Sequence, residues 1–286
     1  MNAHRRLTPY WLATPAALVM LAFVALPLVI MFSLSFHAPG GAGEVGRQWT
    51  ASNYMGAMAD GYFQAIFLRT LWMAILVTGL CVIVGVPEAY VLGRLSARWR
   101  AASIVVVLGP MLISVVVRTL GWAVLLGNQG LLNKALLALG WVGEPLKLMF
   151  SFTGVVIALV HVLLPFMVLA VWASLQKLDP ATEQAARSLG ASYATVLRRI
   201  VFPQVIPGVL SGGLIVFSLA ASAFATPAII GGRRLKVVAT TIYDEFLSNL
   251  NWPLGATLAV LLLVIVLGIS LGVNRLIERR YSQVFQ

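Results

Sequence analysis

The chain has 286 residues, of which 60% are hydrophobic and 10% are charged, and its mean hydropathy is +0.94. A soluble domain carries about a quarter charged residues, so this composition excludes a soluble globular protein and indicates a chain that crosses a membrane several times. The formal net charge is +11. Such an excess indicates either nucleic-acid binding or basic cytoplasmic loops, and the positions of the charges decide between them.

Six segments each hold about 20 consecutive apolar residues, which is the length of a membrane-spanning helix. Prolines inside several of them are tolerated in membrane helices, and the alternating pattern of barrel strands is not found. The sequence therefore predicts an all-α membrane protein with six transmembrane helices. The predicted helices cover residues 10–36, 70–92, 102–126, 153–175, 205–228 and 254–274.

The distribution of basic residues predicts the orientation of these helices. With the N-terminus in the cytoplasm, the inner side holds 12 Lys and Arg, the outer side holds 7, and Arg118 lies inside the third predicted helix. Because cytoplasmic loops are enriched in Lys and Arg, we predict that both termini are cytoplasmic. Topology then explains most of the charge, no nucleic-acid partner is expected, and Arg118 is the one charge left unexplained.

The connection between the fourth and fifth predicted helices carries several helix signals. Asp179 is suited to cap a helix with Pro180 at its first position, and Gly190 is suited to the left-handed residue that ends it. Ser192 can cap a second helix that runs to Pro203. We predict a short cytoplasmic helix-turn-helix at this point in the chain.

The first of these two helices presents Ala185 and Ala186 between polar neighbours. A helix with an alanine surface can approach another backbone closely and occupy a groove on a partner protein. The alternative is an ordinary connecting loop that lies on the inner leaflet. The capped, glycine-terminated pattern is more elaborate than a linker requires, which favours the partner-binding interpretation.

This connection resembles the EAA loop of binding-protein-dependent ABC importer permeases. The pattern of that loop is Glu-Ala-Ala, three residues, Gly, nine residues, Ile, one residue and Leu-Pro, and five positions match it in spacing: Ala185, Ala186, Gly190, Ile200 and Pro203. In that family the loop forms a coupling helix that occupies a cleft of a separate ATPase. The resemblance implies the same role for residues 179–203.

Two positions depart from the family pattern. Gln184 stands where the pattern has Glu, and Phe202 stands where it has Leu. Glu183 is a candidate for the missing carboxylate, although a shift of one residue turns a side chain by about 100° around a helix. Whether Glu183 or Gln184 makes the polar contact to the ATPase is left open by the sequence.

The resemblance extends over most of the chain. Five stretches are similar to the spermidine/putrescine branch of these permeases: residues 50–54, 118–122, 126–133, 226–232 and 251–256. They imply the type I ABC importer permease fold. The implied organisation is a cytoplasmic N-terminus (1–9), a first helix (10–36), a periplasmic loop (37–69), a transmembrane type-1 domain (70–276, with the coupling loop 179–203) and a cytoplasmic tail (277–286).

The partners implied by the resemblance are a second homologous permease, two copies of a cytoplasmic ATPase and a periplasmic solute-binding protein, all at the bacterial inner membrane. The chain itself carries no phosphate-binding loop of the G-x-x-x-x-G-K-[ST] type. We therefore expect a non-catalytic subunit that embeds in the lipid bilayer, needs no cofactor or metal, and relies on a separate subunit for ATP hydrolysis.

Arg118 is the first candidate for the substrate pathway. A charged residue at the centre of a membrane helix costs about 2.5–3.5 kcal/mol on insertion scales, so Arg118 must face the bundle interior, a partner or an aqueous path. It is part of a gate or cavity wall, or it is bonded to carbonyls or to a carboxylate of the partner permease. A paired Arg118 is consistent with a polyamine substrate, whereas an unpaired one favours a carboxylate or phosphonate.

Further candidates come from the outer side, where residues 236–251 have the apolar spacing of a short amphipathic helix. Aromatic residues at the outer mouth serve cation recognition or anchor the interface. The adjacent carboxylates of Asp244 and Glu245 bind a cationic solute or dock the binding protein, or they belong to a solvated helix face. The candidates are Trp122, Tyr243, Asp244, Glu245, Asn251 and Trp252.

Three more residues are expected to have structural rather than functional roles. Glu88 is expected to pair at the inner interface with Arg94 and the basic residues that follow. His161 has no second ligand at helical spacing, so a core histidine bonded to a neighbouring helix is expected rather than a metal site. Cys81, the only cysteine, is expected to be a small buried hydrophobic residue.

These observations lead to one functional hypothesis with alternatives. The chain is predicted to form half of the pathway of an ATP-driven importer, most consistent with a polyamine substrate. The first alternative keeps the class and changes the substrate to a carboxylate or phosphonate, such as an amino-acid-like solute, an opine or an aminoalkylphosphonate. The second is a self-sufficient secondary transporter, which should carry ionisable midplane groups; only Arg118 and His161 qualify.

Overall fold

The computed structural model describes residues 4–40, 43–177 and 179–281, with side chains from residue 14 to residue 275 apart from Pro180. Residues 1–3 and 282–286, which belong to the predicted cytoplasmic N-terminus and tail, lie outside the described residues. The described chain is mainly helical, with one short hairpin. Its elements are α1 (His4–Ser35), β1 (His37–Pro39), β2 (Val45–Trp49), α2 (Ser52–Ala59), α3 (Gly61–Arg94), α4 (Ala97–Leu108), α5 (Val115–Leu126), α6 (Leu131–Ala138), α7 (Phe152–Leu175), α8 (Pro180–Ser188), α9 (Tyr193–Val196), α10 (Phe202–Ala221), α11 (Val238–Leu247) and α12 (Trp252–Tyr281).

Six helical segments in the described part of the chain are long and apolar enough to cross a membrane, which confirms the predicted number. They are Thr14–Ser35, Gly61–Arg94, Val115–Ala138, Phe152–Leu175, Tyr193–Ala221 and Trp252–Arg275. The short outer helix predicted between residues 236 and 251 is present as α11.

Several predicted helix boundaries are wrong. The second span begins at Gly61 rather than at residue 70, so the connection between the first and second spans is shorter than the predicted 37–69. The third predicted span, 102–126, is interrupted by a tighter turn at Gly109–Leu112, because Pro110 cannot continue the backbone hydrogen bonds of α4. The fifth span begins at Tyr193 and ends at Ala221, well before residue 228.

The chain divides into two compact units. The first contains Thr241–Ile265 together with the residues up to Gln64. In this unit the antiparallel hairpin β1–β2 pairs His37 with Trp49, and the Thr257 hydroxyl donates a hydrogen bond of 3.1 Å to the carbonyl of Ser35. The Ser35 hydroxyl lies 2.6 Å from the Tyr54 hydroxyl, so these polar groups satisfy one another.

The second unit contains Ala65–Thr240 and the residues from Val266 onward. Its core is built around α7, which packs along α10 and holds Leu159 and Met167 in fully buried positions. Small residues permit this close contact, because a methyl group at Gly212 would lie 2.9 Å from the Cβ atom of Ala170. Close helix packing through small residues is the usual arrangement in membranes.

Candidate coupling site and membrane cavity

Helix α8 has the ends that its sequence predicts. The Asp179 carboxylate accepts a hydrogen bond of 2.9 Å from the backbone N–H of Ala181, which satisfies a free donor at the helix start. Gly190 has a φ of +83°, a left-handed conformation that glycine adopts without strain. Ser192 caps α9 by accepting from the N–H of Thr195 at 3.3 Å. The predicted helix-turn-helix is confirmed.

The predicted end of the second helix at Pro203 is wrong, because α9 continues into α10. Between them, Leu197–Val201 forms a wider turn, and the N–H of Phe202 donates to the carbonyl of Leu197. A wider turn leaves room for a proline ring that would otherwise clash with the preceding turn. Pro203 therefore lies inside a continuous fifth span.

The two faces of α8 carry different residues. Glu183 is buried and Ala186 packs inward against the core, whereas Gln184 and Ala185 are exposed. Residues three apart share a helix face, which explains why Glu183 and Ala186 point the same way. Ala185 is therefore the more accessible of the two alanines, and the contact of both with a partner stays a prediction. Leu189, at the end of the helix, is 88% exposed.

Glu183 forms an ion pair with Arg94, the last residue of α3. The Arg94 guanidinium also donates a hydrogen bond of 2.9 Å to the Tyr90 hydroxyl, and the Tyr193 hydroxyl donates to the same oxygen at 3.1 Å. The sequence prediction missed Arg94, Tyr90 and Tyr193 as members of this site. The one local signal was the spacing of Tyr90 and Arg94, which places them on one helix face.

The remaining residues of the coupling segment have mixed exposure. Ile200 is partly buried against the core, and Phe202 is 55% exposed. Glu88 makes no ion pair among the described side chains: Arg94, six positions further along α3, lies on another face of the helix and pairs with Glu183. The predicted pairing of Glu88 with Arg94 is therefore wrong.

Arg118 borders a cavity of about 370 Å³ formed by α5, α7, the end of α10 and the turn that follows it. Phe166 and Leu163 contribute apolar walls, and Ser222 and Thr226 contribute hydroxyl groups. The Nε and Nη1 atoms of Arg118 are buried without a hydrogen-bond partner among the described residues. Burying donors without an acceptor is costly, which makes Arg118 the main candidate for a polar contact in this cavity.

Trp122, one turn beyond Arg118, donates a hydrogen bond of 3.1 Å from its indole N–H to Nδ1 of His161. The two rings meet edge to face with centroids 5.3 Å apart. The predicted bond between His161 and a neighbouring helix is confirmed, although the residue is exposed rather than part of the core. Cys81 is fully buried, as predicted.

The outer candidates other than Trp122 belong to the first unit. Glu245 is 9% exposed and accepts a hydrogen bond of 2.9 Å from the side-chain amide of Asn249. A solvated helix face is therefore the wrong interpretation for Glu245, and its burial raises the pKa of its carboxyl, with a smaller contribution from Asp244. Tyr243 and Trp252 are exposed. The Asn251 side chain accepts a hydrogen bond from the N–H of Leu254 and caps the start of α12.

Comparison with known proteins explains this combination of six spans and a capped connecting helix. Residues 5–283 match the family described as binding-protein-dependent transport system inner membrane component. The chain belongs to this family. It is the permease of a binding-protein-dependent ABC importer, a non-catalytic component of the inner membrane.

Two relatives and one solved structure are similar to this permease. It is 33% identical over 266 residues to the spermidine/putrescine transport system permease protein PotB of Salmonella typhimurium, covering 92% of each chain. It is 29% identical to the molybdenum transport system permease protein ModB of Mycobacterium bovis, covering 93% of this chain and 94% of the relative. A solved bacterial ABC transporter for the import of alginate matches with a TM-score of 0.77 at 16% identity, over 98% of this permease and 99% of that chain. This likeness confirms the type I importer fold.

Proposed function

We propose that the permease forms half of the transmembrane pathway for a polyamine of the spermidine/putrescine class. The observation that carries this proposal is the 33% identity to a spermidine/putrescine permease over 92% of both chains. The pathway is completed by a second homologous permease, driven by two copies of a cytoplasmic ATPase and supplied by a periplasmic binding protein. Both termini lie in the cytoplasm, in agreement with the excess of Lys and Arg on that side.

In this proposal α8 is the coupling helix. The Asp179 cap defines its start and the left-handed Gly190 follows its end, and its exposed face carries Gln184, Ala185 and the apolar tip Leu189. Gln184 and Leu189 then contact the ATPase cleft, while Glu183 faces the permease itself. Closure of the ATPase dimer displaces α8. This displacement opens the cavity beside Arg118 alternately to the two sides of the membrane.

The substrate proposal is tested on the cognate binding protein and the assembled transporter. Spermidine and putrescine should bind the binding protein in titration calorimetry, and proteoliposomes holding the complete transporter should take up the same polyamine only with ATP. A complex whose ATPase lacks the lysine of its phosphate-binding loop is the matched control and should be inactive. Calorimetric binding of an amino acid or phosphonate without any polyamine response would overturn the polyamine substrate and leave the transporter class unchanged.

A carboxylate or phosphonate solute is a second candidate, favoured by Arg118 alone. Its Nε and Nη1 atoms lack a partner within the described chain, and a guanidinium binds a carboxylate or phosphonate in a bidentate manner. With a polyamine substrate, by contrast, Arg118 would repel the cargo unless a carboxylate of the second permease neutralises it.

Replacement of Arg118 distinguishes the two substrates. For polyamine transport, Arg118→Gln should lower the maximal uptake rate and leave KM within about threefold, because Arg118 pairs with protein rather than with cargo. For an anionic solute, Arg118→Gln should raise KM by about tenfold or more. Arg118→Lys should restore only part of the lost affinity, because an ammonium group cannot bind in a bidentate manner. Uptake kinetics with each solute measure both constants, and a large rise in KM for spermidine would contradict a neutralised Arg118.

A further inference from the structure

The cluster Tyr90, Arg94, Glu183 and Tyr193, here called the latch, joins the coupling segment to the end of the second span. Arg94 pairs with Glu183 on α8 and donates to Tyr90 on its own helix α3. Tyr193, at the start of α9, donates to the same Tyr90 oxygen at 3.1 Å. The latch therefore connects the end of α3 to α8 and α9, which lie about ninety residues further along the chain, since Arg94 and Glu183 are 89 positions apart.

We propose that Arg94 and Glu183 are a positioning pair that makes α8 and the end of α3 move as one body during transport. The proposal rests on the proposed function of α8 as the coupling helix. A displacement of α8 by the ATPase is then transmitted directly to the second span through the latch, in addition to the path along the backbone into the fifth span.

The geometry supports a mechanical role rather than a surface ion pair of little consequence. The Glu183 side chain is only 11% exposed, while that of Arg94 is 50% exposed. A guanidinium carries five donors in a planar fork, so Arg94 bonds the carboxylate and the Tyr90 hydroxyl at the same time. Its guanidinium carbon also lies 4.9 Å from the centroid of the Tyr90 ring, which restricts its orientation further.

The latch also accounts for the departure of this chain from the EAA pattern. The acidic residue of α8 stands one position early, at Glu183, and is buried against the permease instead of facing outward. Gln184, at the position of the family glutamate, is exposed and neutral. The carboxylate of this coupling helix thus serves a contact inside the permease, and an amide is left for the contact with the ATPase.

Charge reversal in the assembled transporter tests the latch. Arg94→Glu and Glu183→Arg should each lower the solute imported per ATP hydrolysed by about fivefold or more, because like charges push α8 away from α3. The double variant, which restores an ion pair with reversed polarity, should recover most of this ratio. Arg98→Glu is the matched control, since it makes the same charge change at an exposed position in the next helix, α4, and should leave the ratio unchanged.

The outcomes separate the latch from other roles of Glu183. If Glu183→Arg impairs coupling and Arg94→Glu fails to restore it, Glu183 contacts the ATPase and the proposal is overturned. Single variants with the wild-type ratio of uptake to hydrolysis overturn it as well. If the unmodified transporter shows no ATP-dependent uptake at all, the proposed function of the permease fails instead, which is a result distinct from both.

Neutral substitutions keep the test usable if charge reversal prevents folding. Arg94→Gln and Glu183→Gln remove the ion pair without creating repulsion, and a double-mutant cycle compares their separate and combined effects on the same ratio. Coupled residues should give a double variant no worse than the more impaired single variant. Additive losses would overturn the latch.

Discussion

Gly190→Val is expected to abolish ATP-driven uptake while the subunit still inserts into the membrane. The φ of +83° at this position costs a non-glycine residue about 1–2 kcal/mol, and a β-branched residue more. The change cannot act by a steric clash, since a methyl group at Gly190 would meet no atom within 4 Å. The turn that ends α8 must therefore rearrange, which displaces the exposed tip at Leu189 and uncouples the ATPase.

A second substitution at Gly190 distinguishes the loss of the left-handed backbone conformation from the mere replacement of glycine. Gly190→Asn should retain most uptake, because asparagine tolerates the left-handed region. Uptake of radiolabelled solute into proteoliposomes, normalised to the amount of inserted subunit, measures both variants. Uptake at the wild-type level in Gly190→Val would exclude α8 as the coupling helix, whereas equal loss in Gly190→Asn would show that the conformation of this turn is not the cause.

The double variant Gly208→Ala/Gly212→Ala is expected to destabilise the helical core of the second unit. The added methyl groups would lie 2.7 Å from the carbonyl oxygen of Ala170 and 2.9 Å from its Cβ atom, so α10 must move away from α7. Overpacking of this kind costs about 1–3 kcal/mol per site and should lower the thermal midpoint in detergent by about 5–10 °C.

The neighbouring Gly213 offers the control for that experiment. A methyl group there would lie 3.7 Å from Thr78, which is an ordinary contact, so Gly213→Ala should leave the midpoint within about 2 °C of the wild type. Fluorescence-detected gel filtration after heating measures all variants. An unchanged midpoint in the double variant would mean that α7 and α10 tolerate separation, contrary to their close packing.

Sequence reasoning predicted the spans better than their boundaries. Hydropathy alone identified six membrane helices, but it extended the third span across Pro110 and placed the start of the fifth span near residue 205. The fifth span instead begins at Tyr193, because the wider turn at Leu197–Val201 accommodates Pro203 within a continuous helix. A proline in the sequence indicates a possible break in a helix. Whether the helix continues depends on the backbone conformation of the turn that precedes the proline.

The amino-acid sequence by itself determined the number of membrane spans, the caps at Asp179 for α8 and at Ser192 for α9, and the left-handed turn at Gly190. Hydropathy and capping depend on residues within a few positions, so they can be read locally. Only the tertiary structure decided that Glu183 turns inward to Arg94 and that Arg118 borders a cavity without a partner among the described residues. These contacts join side chains from helices far apart in sequence, and the packing of those helices determines which groups meet.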